Sequence, residues 1–397
     1  MNELYELPEG WEWKKLGSLT KTTSGGTPKR NNKAFWQGNI GWLKSGELND
    51  GYVTEVEEFI TEEGLKKSSA KLFPKGTLLI AMYGATVGKL AILDIETTTN
   101  QAICGVLNDK KLFDTRFMFF YFRNIRAKML IDSTGGAQPN LSQTYIKKLD
   151  IPLPPLQEQK RIVAKLDSLF AKIDQAIALH QQNIDEAEGF MGSVLNEVFG
   201  VLEGKYSQVP LFEVANVARG KSKHRPRNDK KLFGGDYPFI QTGDVRNANK
   251  YIKTYSNTYS DFGLKQSKLW DRGTICMTIA ANIGDVAILD MDSCFPDSVV
   301  GIYSDRNSND FIYYFLLTLK QQLESKATTT AQMNINLKVL QTIGVPLPPL
   351  ETQQKTVTYL DQLSQKTETL KQVQTQKMES LKALKASILD KAFRGEL

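Results

Sequence analysis

Histidine and cysteine are both scarce in this 397-residue chain, with two of the first, His180 and His224, and three of the second, Cys104, Cys276 and Cys294. The cysteines are odd in number and unclustered. That argues against a disulfide framework and against a cysteine metal site, and it points to a reducing, cytoplasmic setting. Two histidines far apart supply metal and acid–base sites thinly. His180 has no second His or Cys at ligand spacing, and His224 lies among basic residues to which it adds. No apolar run reaches the roughly 18 residues a membrane span needs. Residues 1–10 are acidic and polar and lack the apolar core of a secretion signal.

Signatures of chemistry are also missing. Gly84-Ala85-Thr86-Val87-Gly88-Lys89 resembles a phosphate loop only superficially. Its glycine spacing is one residue short, and Leu90 stands where a Ser or Thr would hold magnesium, so a turn between strands is the expectation. No Asn-Pro-Pro-aromatic loop of an adenine methyltransferase is present. Nor is a glycine-rich cofactor loop, a carboxylate–lysine nuclease cluster beside Pro296-Asp297, or a Ser or Cys nucleophile motif. The tally leans toward binding rather than catalysis.

What is present is a length that suits two to four domains and a positive charge gathered in two places. The net charge is only +6. Between Trp13 and Gly46, however, lie seven basic residues and no acidic one: Lys14, Lys15, Lys21, Lys29, Arg30, Lys33 and Lys44. From Arg219 to Lys231 lie seven more against a single Asp: Arg219, Lys221, Lys223, Arg225, Arg227, Lys230 and Lys231. An isolated charge run is ordinarily a solvated loop. Local density of this kind is also what a phosphate backbone requires.

The two runs occupy matching places in an internal repeat. Ile151-Pro152-Leu153-Pro154-Pro155-Leu156 recurs as Val345-Pro346-Leu347-Pro348-Pro349-Leu350, an offset of 194. Gly38 to Leu48 matches Gly235 to Val245, Lys75-Gly76-Thr77-Leu78 matches Arg272-Gly273-Thr274-Ile275, and Gly88 to Asp94 matches Gly284 to Asp290. Gln138-Pro139-Asn140-Leu141 matches Gln332-Met333-Asn334-Ile335. A period this long is not a solenoid's, which runs about 20–50 residues; it is a duplicated domain. Short β-branched runs bounded by glycine predict strands at 78–80 and 90–93. The aromatic stretches 117–122 and 311–317 predict buried helices.

After each proline motif a long helix is expected, because proline is well placed just ahead of a helix start. Val163, Leu166, Phe170, Ile173, Ile177, His180, Ile184, Ala187, Met191, Val194 and Val198 alternate by 3 and 4 as a heptad seam. The second seam runs Leu360, Leu363, Thr367, Leu370, Gln374, Lys377, Leu381, Leu384 and Ile388, and Gly395 stands where a C-cap is expected. Neither helix can bury its seam alone, so antiparallel packing of one on the other is predicted. The polar middle, with His180, Gln374 and Lys377, reads as a register layer.

These residues resemble the specificity subunits of type I restriction-modification enzymes. The most specific stretch is Ile151 to Asp167, with Gln157-Glu158-Gln159-Lys160-Arg161-Ile162-Val163 following the prolines; its second copy has Thr352-Gln353-Gln354-Lys355 instead. Trp13 to Gly17, Ser24-Gly25-Gly26-Thr27-Pro28 and the closing Phe393-Arg394-Gly395-Glu396-Leu397 also match, so the likeness spans the whole chain. The resemblance implies an α+β architecture. Two pseudo-repeated α/β-mixed target-recognition domains, 1–152 and 208–345, are separated by two long antiparallel coiled-coil helices, 153–207 and 346–397. It implies a non-catalytic subunit that reads a bipartite, gapped site in double-stranded DNA and docks two methyltransferase subunits, with restriction/translocase subunits joining. No cofactor is expected in this chain; S-adenosylmethionine belongs to the methyltransferase partner, ATP and magnesium to the restriction partner.

Base edges are read by Arg, Lys, Asn and Gln. The DNA-contact candidates are Lys29, Arg30, Asn31, Asn32, Lys33 and Lys44 in the first unit. In the second they are Arg219, Lys221, Lys223, Arg225, Arg227, Gln241, Arg246 and Asn247. Partner docking and the helix seam are assigned to Glu158, Ile162, Val163, Leu166, Phe170, Ile173, Leu360, Leu363 and Leu370. Three other classes stay open: a self-sufficient nucleic-acid-modifying enzyme, a purely structural adaptor, and a stand-alone DNA-binding regulator without a methyltransferase partner.

Overall fold

The computed structural model describes residues 4–133, 140–280, 283–320, 337–341 and 343–397. The chain forms two compact units, residues 1–180 with 376–397, and residues 181–375. No helix among the described residues is long and apolar enough to cross a membrane.

In the first unit a five-stranded sheet runs in the order Thr22–Ser24, Ile103–Val106, Leu78–Ala81, Leu90–Leu93, Tyr52–Val53. Its three central strands are buried throughout, because both faces are covered; this is why they read as unbroken apolar runs rather than alternating ones. Alternation survives in where the side chains go. Leu78, Ile80, Leu90, Ile92, Cys104 and Val106 pack under the aromatic helix Thr115–Asn124. Leu79, Ala81, Ala91, Leu93 and Ile103 point the other way, toward Leu43 and Phe73. Those belong to a four-stranded sheet ordered Glu58–Ile60, Trp36–Leu43, Thr97–Thr99, Leu72–Phe73.

The second unit repeats both sheets with the same strand order: Asn216–Arg219, Val299–Tyr303, Ile275–Thr278, Val286–Leu289, Tyr251–Ile252, and Asn257–Tyr259, Phe233–Phe239, Ser293–Cys294, Leu269–Trp270. Equivalent glycines let the layers approach. A Cβ on Gly105 would stand 2.3 Å from the Phe73 ring, and one on Gly301 would stand 2.5 Å from the Trp270 ring. The stretch 84–89 is a turn, with a 3-10 helix at Gly84–Thr86 between two strands. All three cysteines are buried thiols; desolvation pushes Cys104 up to about 12.

Each domain is closed at its neck by a strand pair, Glu12–Lys15 with Asp150–Leu153 and Gln208–Pro210 with Gly344–Pro346. The proline motif thus begins as an edge strand and ends as a helix start. The long helices follow at once, Leu156–Glu203 and Leu350–Arg394, of 48 and 45 residues. Gly395 closes the second at φ +78.

Each unit holds the start of one long helix against the end of the other. In the first, Arg161 donates to the Leu397 carbonyl (2.6 Å) and Asp174 meets Lys385 (2.6 Å), so the two segments run antiparallel. Ile162, Val163, Leu166, Phe170 and Ile173 share a core there with Leu389, Ala392 and Phe393. In the second unit Val194, Leu195, Phe199 and Leu202 share a core with Leu360, and Leu363 packs partly buried against it.

The first helix buries Val163, Leu166, Phe170, Ile173, Ala187 and Val194 of the expected stripe and half-buries the rest. The second departs from it: Leu370 is 43% exposed and Leu384 48%, and Lys377 is exposed as well. The observed stripe passes through Lys371, Gln374, Met378, Leu381, Lys385, Ile388 and Ala392. Two successive steps of four, Leu363 to Thr367 to Lys371, move it one residue ahead of a strict heptad, as the natural 3.6-residue winding tends to do. Lysine can occupy this stripe because its stem lies on apolar surface while its ammonium meets a carboxylate. Lys385 sits 4.8 Å from the centre of the Phe170 ring and pairs with Asp174, while Lys371 pairs with Glu188 at 2.7 Å.

Candidate nucleic-acid interface

The first basic run divides into residues held by other side chains and residues left without a partner. Arg30 lies over the Trp36 and Trp42 rings, 4.0 and 4.4 Å from their centres, and pairs with Glu58. Lys44 reaches Glu57 at 2.8 Å and Glu58 at 3.2 Å. Hydrogen bonding from Arg30 holds the Glu58 carboxyl below its ordinary range against a smaller effect of burial, and Lys44 adds to the depression. Asn32 caps a turn, accepting from the Ala34 N–H at 3.1 Å. Lys29, Asn31 and Lys33 are exposed, and their side chains make no hydrogen bond or ion pair with other described residues.

The second run divides likewise. Arg225 donates to the carbonyls of Ser222 (2.7 Å) and His224 (2.8 Å), and Arg227 pairs with Asp297 at 2.9 Å. His224 bonds Asp229 at 2.9 Å. Asp229 is held below its usual range, first by the Lys231 N–H and then by His224. Arg219 and Arg246 are exposed and also interact within the chain. Lys221, Lys223 and Asn247 are exposed, and their side chains make no hydrogen bond or ion pair with other described residues. Gln241 heads a short helix in which its N–H donates to Asp244 (2.8 Å), as the Lys44 N–H donates to Glu47 (2.9 Å) in the first unit. The repeated Gly-acid pair is therefore a capping device. Gln138, Gln332 and Asn334 lie outside the described residues.

The proline motif carries a second set of residues, and these hold each domain to its helix. Gln159 is buried; its amide nitrogen donates to the Pro154 carbonyl (2.9 Å), and its oxygen accepts the Asp114 N–H (2.7 Å) at the head of the aromatic helix. Gln353 repeats this with Pro348 (2.9 Å) and the Ser308 N–H (3.0 Å). Asp167 accepts from both terminal guanidinium nitrogens of Arg116. Its counterpart Asp361 accepts from Lys250 and Tyr314, both at 2.5 Å. Position 310, the repeat of Arg116, is Asp, so the second unit brings its cation from Lys250, which also pairs with Asp310 at 2.8 Å. Sequence reading missed this latch, although Gln and Asp recur at an offset of 194 in both copies. Glu158 is partly exposed and pairs with Arg161 at 2.7 Å. Ile162, by contrast, is 1% exposed, a core residue with no surface to offer a partner.

Comparison with known proteins gives these parts a family. The model of the type I restriction modification DNA specificity domain matches residues 8–188 and again 203–379. The EcoKI specificity subunit of Escherichia coli is 24% identical over 99% of this chain and 90% of its own. The putative MjaX specificity subunit of Methanocaldococcus jannaschii is 25% identical over 89% and 86%. The MjaIX subunit of the same organism is 29% identical over 41% of this chain and 39% of its own, about one repeat. A chain from a structure on assembly and conformational transition of a type I R-M system superposes with a TM-score of 0.80 at 25% identity, covering 99% of this chain and 100% of that one. The HsdS subunit of Thermoanaerobacter tengcongensis shares the fold at a TM-score of 0.57 and 24% identity, with 99% of each chain covered. With the family domain matched twice over most of its length, the chain belongs to the type I restriction modification DNA specificity family.

Proposed function

We propose that this chain is the sequence-reading subunit of a type I restriction-modification assembly. Each α/β domain reads one half of a split duplex site, and the chain docks two methyltransferase subunits. It supplies the address and performs no chemistry itself. S-adenosylmethionine is held by the methyltransferase, ATP and magnesium by restriction/translocase subunits, and the assembly works in the cytoplasm. The observation that carries this reading is that one fold is built twice while the basic loops differ. The frame is duplicated in strand order, latch and neck; the loops at 29–33 and 219–231 share charge but not sequence. A constant frame with variable charged loops is what two different half-sites need. Lys29, Asn31 and Lys33, with Lys221, Lys223 and Asn247, are free to meet phosphates and base edges.

The test is to co-express the chain with the methyltransferase subunit of its own host in a methylation-free strain and map modified adenines. Two short half-sites around a fixed gap are expected. Duplex binding without any chain-dependent methylation would instead favour a stand-alone DNA-binding regulator.

A further inference from the structure

We infer that Gln37 is a specificity-determining residue of the first half-site, presented by a strained β-bulge. This rests on the DNA-reading function proposed above. In the strand Trp36–Leu43, Trp36 and Ile40 both face Ile60, so residues 37–39 bulge from the ladder. The second unit has the same irregularity: Phe233 and Tyr237 both face Tyr259, and residues 234–236 bulge. The first bulge residue is left-handed in both, Gln37 at φ +64 and Gly234 at φ +87. Glycine adopts this conformation freely, whereas a glutamine is strained by it. The fold demands a left-handed residue here. One unit meets the demand with glycine, the other with glutamine.

Among the described residues, no side-chain bond from Gln37 repays that strain. The other non-glycine residues at positive φ among the described residues are Asp50, Lys111 and Lys250. Asp50 accepts from Arg126 and from the Leu90 N–H (3.0 Å). Lys250 meets two carboxylates. Lys111 closes a turn through its own N–H to the Asn108 carbonyl. Gln37 is exposed, and its side chain makes no hydrogen bond to any described residue. A strained side chain kept where glycine would serve is a pointer to function, and bulges commonly re-aim a side chain beside a working site.

The surroundings suit a base reader. A Cβ on Gly38 would lie 2.3 Å from the Ile60 carbonyl oxygen, so within the bulge only positions 37 and 39 can project a side chain. The Trp36 indole N–H donates to the Lys29 carbonyl at 3.2 Å, tying the basic loop to the residue next to Gln37. A carboxamide can bond both exposed groups of adenine in the major groove. Gly38 and Gly235 coincide as frame, whereas Gln37 and Gly234 differ, as readers of different half-sites must.

The experiment compares wild type, Gln37→Gly and Gln37→Asn, each as the full chain co-expressed with its host's methyltransferase subunit in methylation-free cells. Methylated adenines are mapped, and thermal unfolding of the purified chain is followed in parallel. Gln37→Gly is expected to raise the unfolding midpoint by a few degrees while relaxing one base pair in one half of the motif. Methylation of the original site should fall about tenfold or more relative to the relaxed sites. Gln37→Asn keeps a carboxamide on a residue type that tolerates the left-handed region, and it should change the motif less. A stabilised Gln37→Gly chain that methylates the unchanged motif at the wild-type rate would show that Gln37 reads nothing. A lowered midpoint would refute the strain argument. If wild type itself yields no split motif, the methyltransferase-directing function proposed above fails, and this inference with it.

Discussion

At Asp310, burial and pairing pull in opposite directions. Desolvation raises its pKa, but hydrogen bonds from Lys250 and the Tyr251 hydroxyl outweigh it, and the carboxyl sits below its ordinary range. A carboxylate depressed in the folded state stabilises the fold above its unfolded value of about 3.9, and it loses that contribution as the pH falls through the lower folded value. Denaturant midpoints measured from about pH 6 downward should therefore show a shallower acid limb for Asp310→Asn than for wild type. Equal slopes would mean the pair contributes nothing differential. This residue also shows what sequence could not deliver. Arg116 and Asp310 occupy the same repeat position with opposite charge, and only the folded chain reveals that Lys250, from elsewhere in the domain, supplies the missing cation. The basic runs carry the same lesson. Arg30, Lys44 and Arg227 read in sequence as basic residues like Lys29 and Lys33, yet carboxylates elsewhere in the chain hold the first three.

Among the elements, the ends of the long helices matter as much as their seams. Phe393 is fully buried, its ring 5.1 Å from both Phe117 and Tyr121 on the aromatic helix of the first domain. Phe199 does the same in the second, 5.3 Å from Phe311 and 5.6 Å from Phe315. Phe393→Ala should cost about 3–5 kcal/mol by chemical denaturation, whereas Leu384→Ala, nine residues earlier and 48% exposed, should stay within about 0.5 kcal/mol. The reverse ranking would restore the strict heptad. The seam of the first helix was legible because every third and fourth residue of its first half is large and apolar. In the second, Gln374, Leu381 and Ile388 were placed correctly, but the alternate positions fell one residue short because the buried stripe uses Lys371 and Lys385, which a hydrophobicity pattern discards, while Leu370 and Leu384 on the outer face complete a false heptad.

For the molecule as a whole, the latch sets a rule for exchanging domains. Asp361 needs a cation from whichever domain is joined to its helix, and the two present domains show two solutions, an Arg at the position of Arg116 or a Lys at that of Lys250. Replacing residues 209–345 by the equivalent of another family member should change only one half of the methylated motif, provided the incoming domain carries either cation. A donor lacking both should give a chain that unfolds earlier, and restoring the lysine should recover it. A change in both halves would show that the domains are not independent readers.

Duplication, two long helices after the proline motifs, buried aromatic helices and central strands were all determined by sequence alone. Each is a local or periodic property: repeat spacing, proline at a helix start, apolar runs bounded by glycine. What the tertiary structure decided depends on partners distant in sequence. It showed that each unit joins the start of one long helix to the end of the other. It turned Gln159 and Gln353 into buried ties between helix and domain. It separated occupied cations from free ones, and it exposed the strained backbone of Gln37. Periodicity records which face of an element is apolar. It carries no record of which polar group, distant in sequence, satisfies a buried amide or neutralises a charge, and that pairing is fixed only when the chain closes on itself.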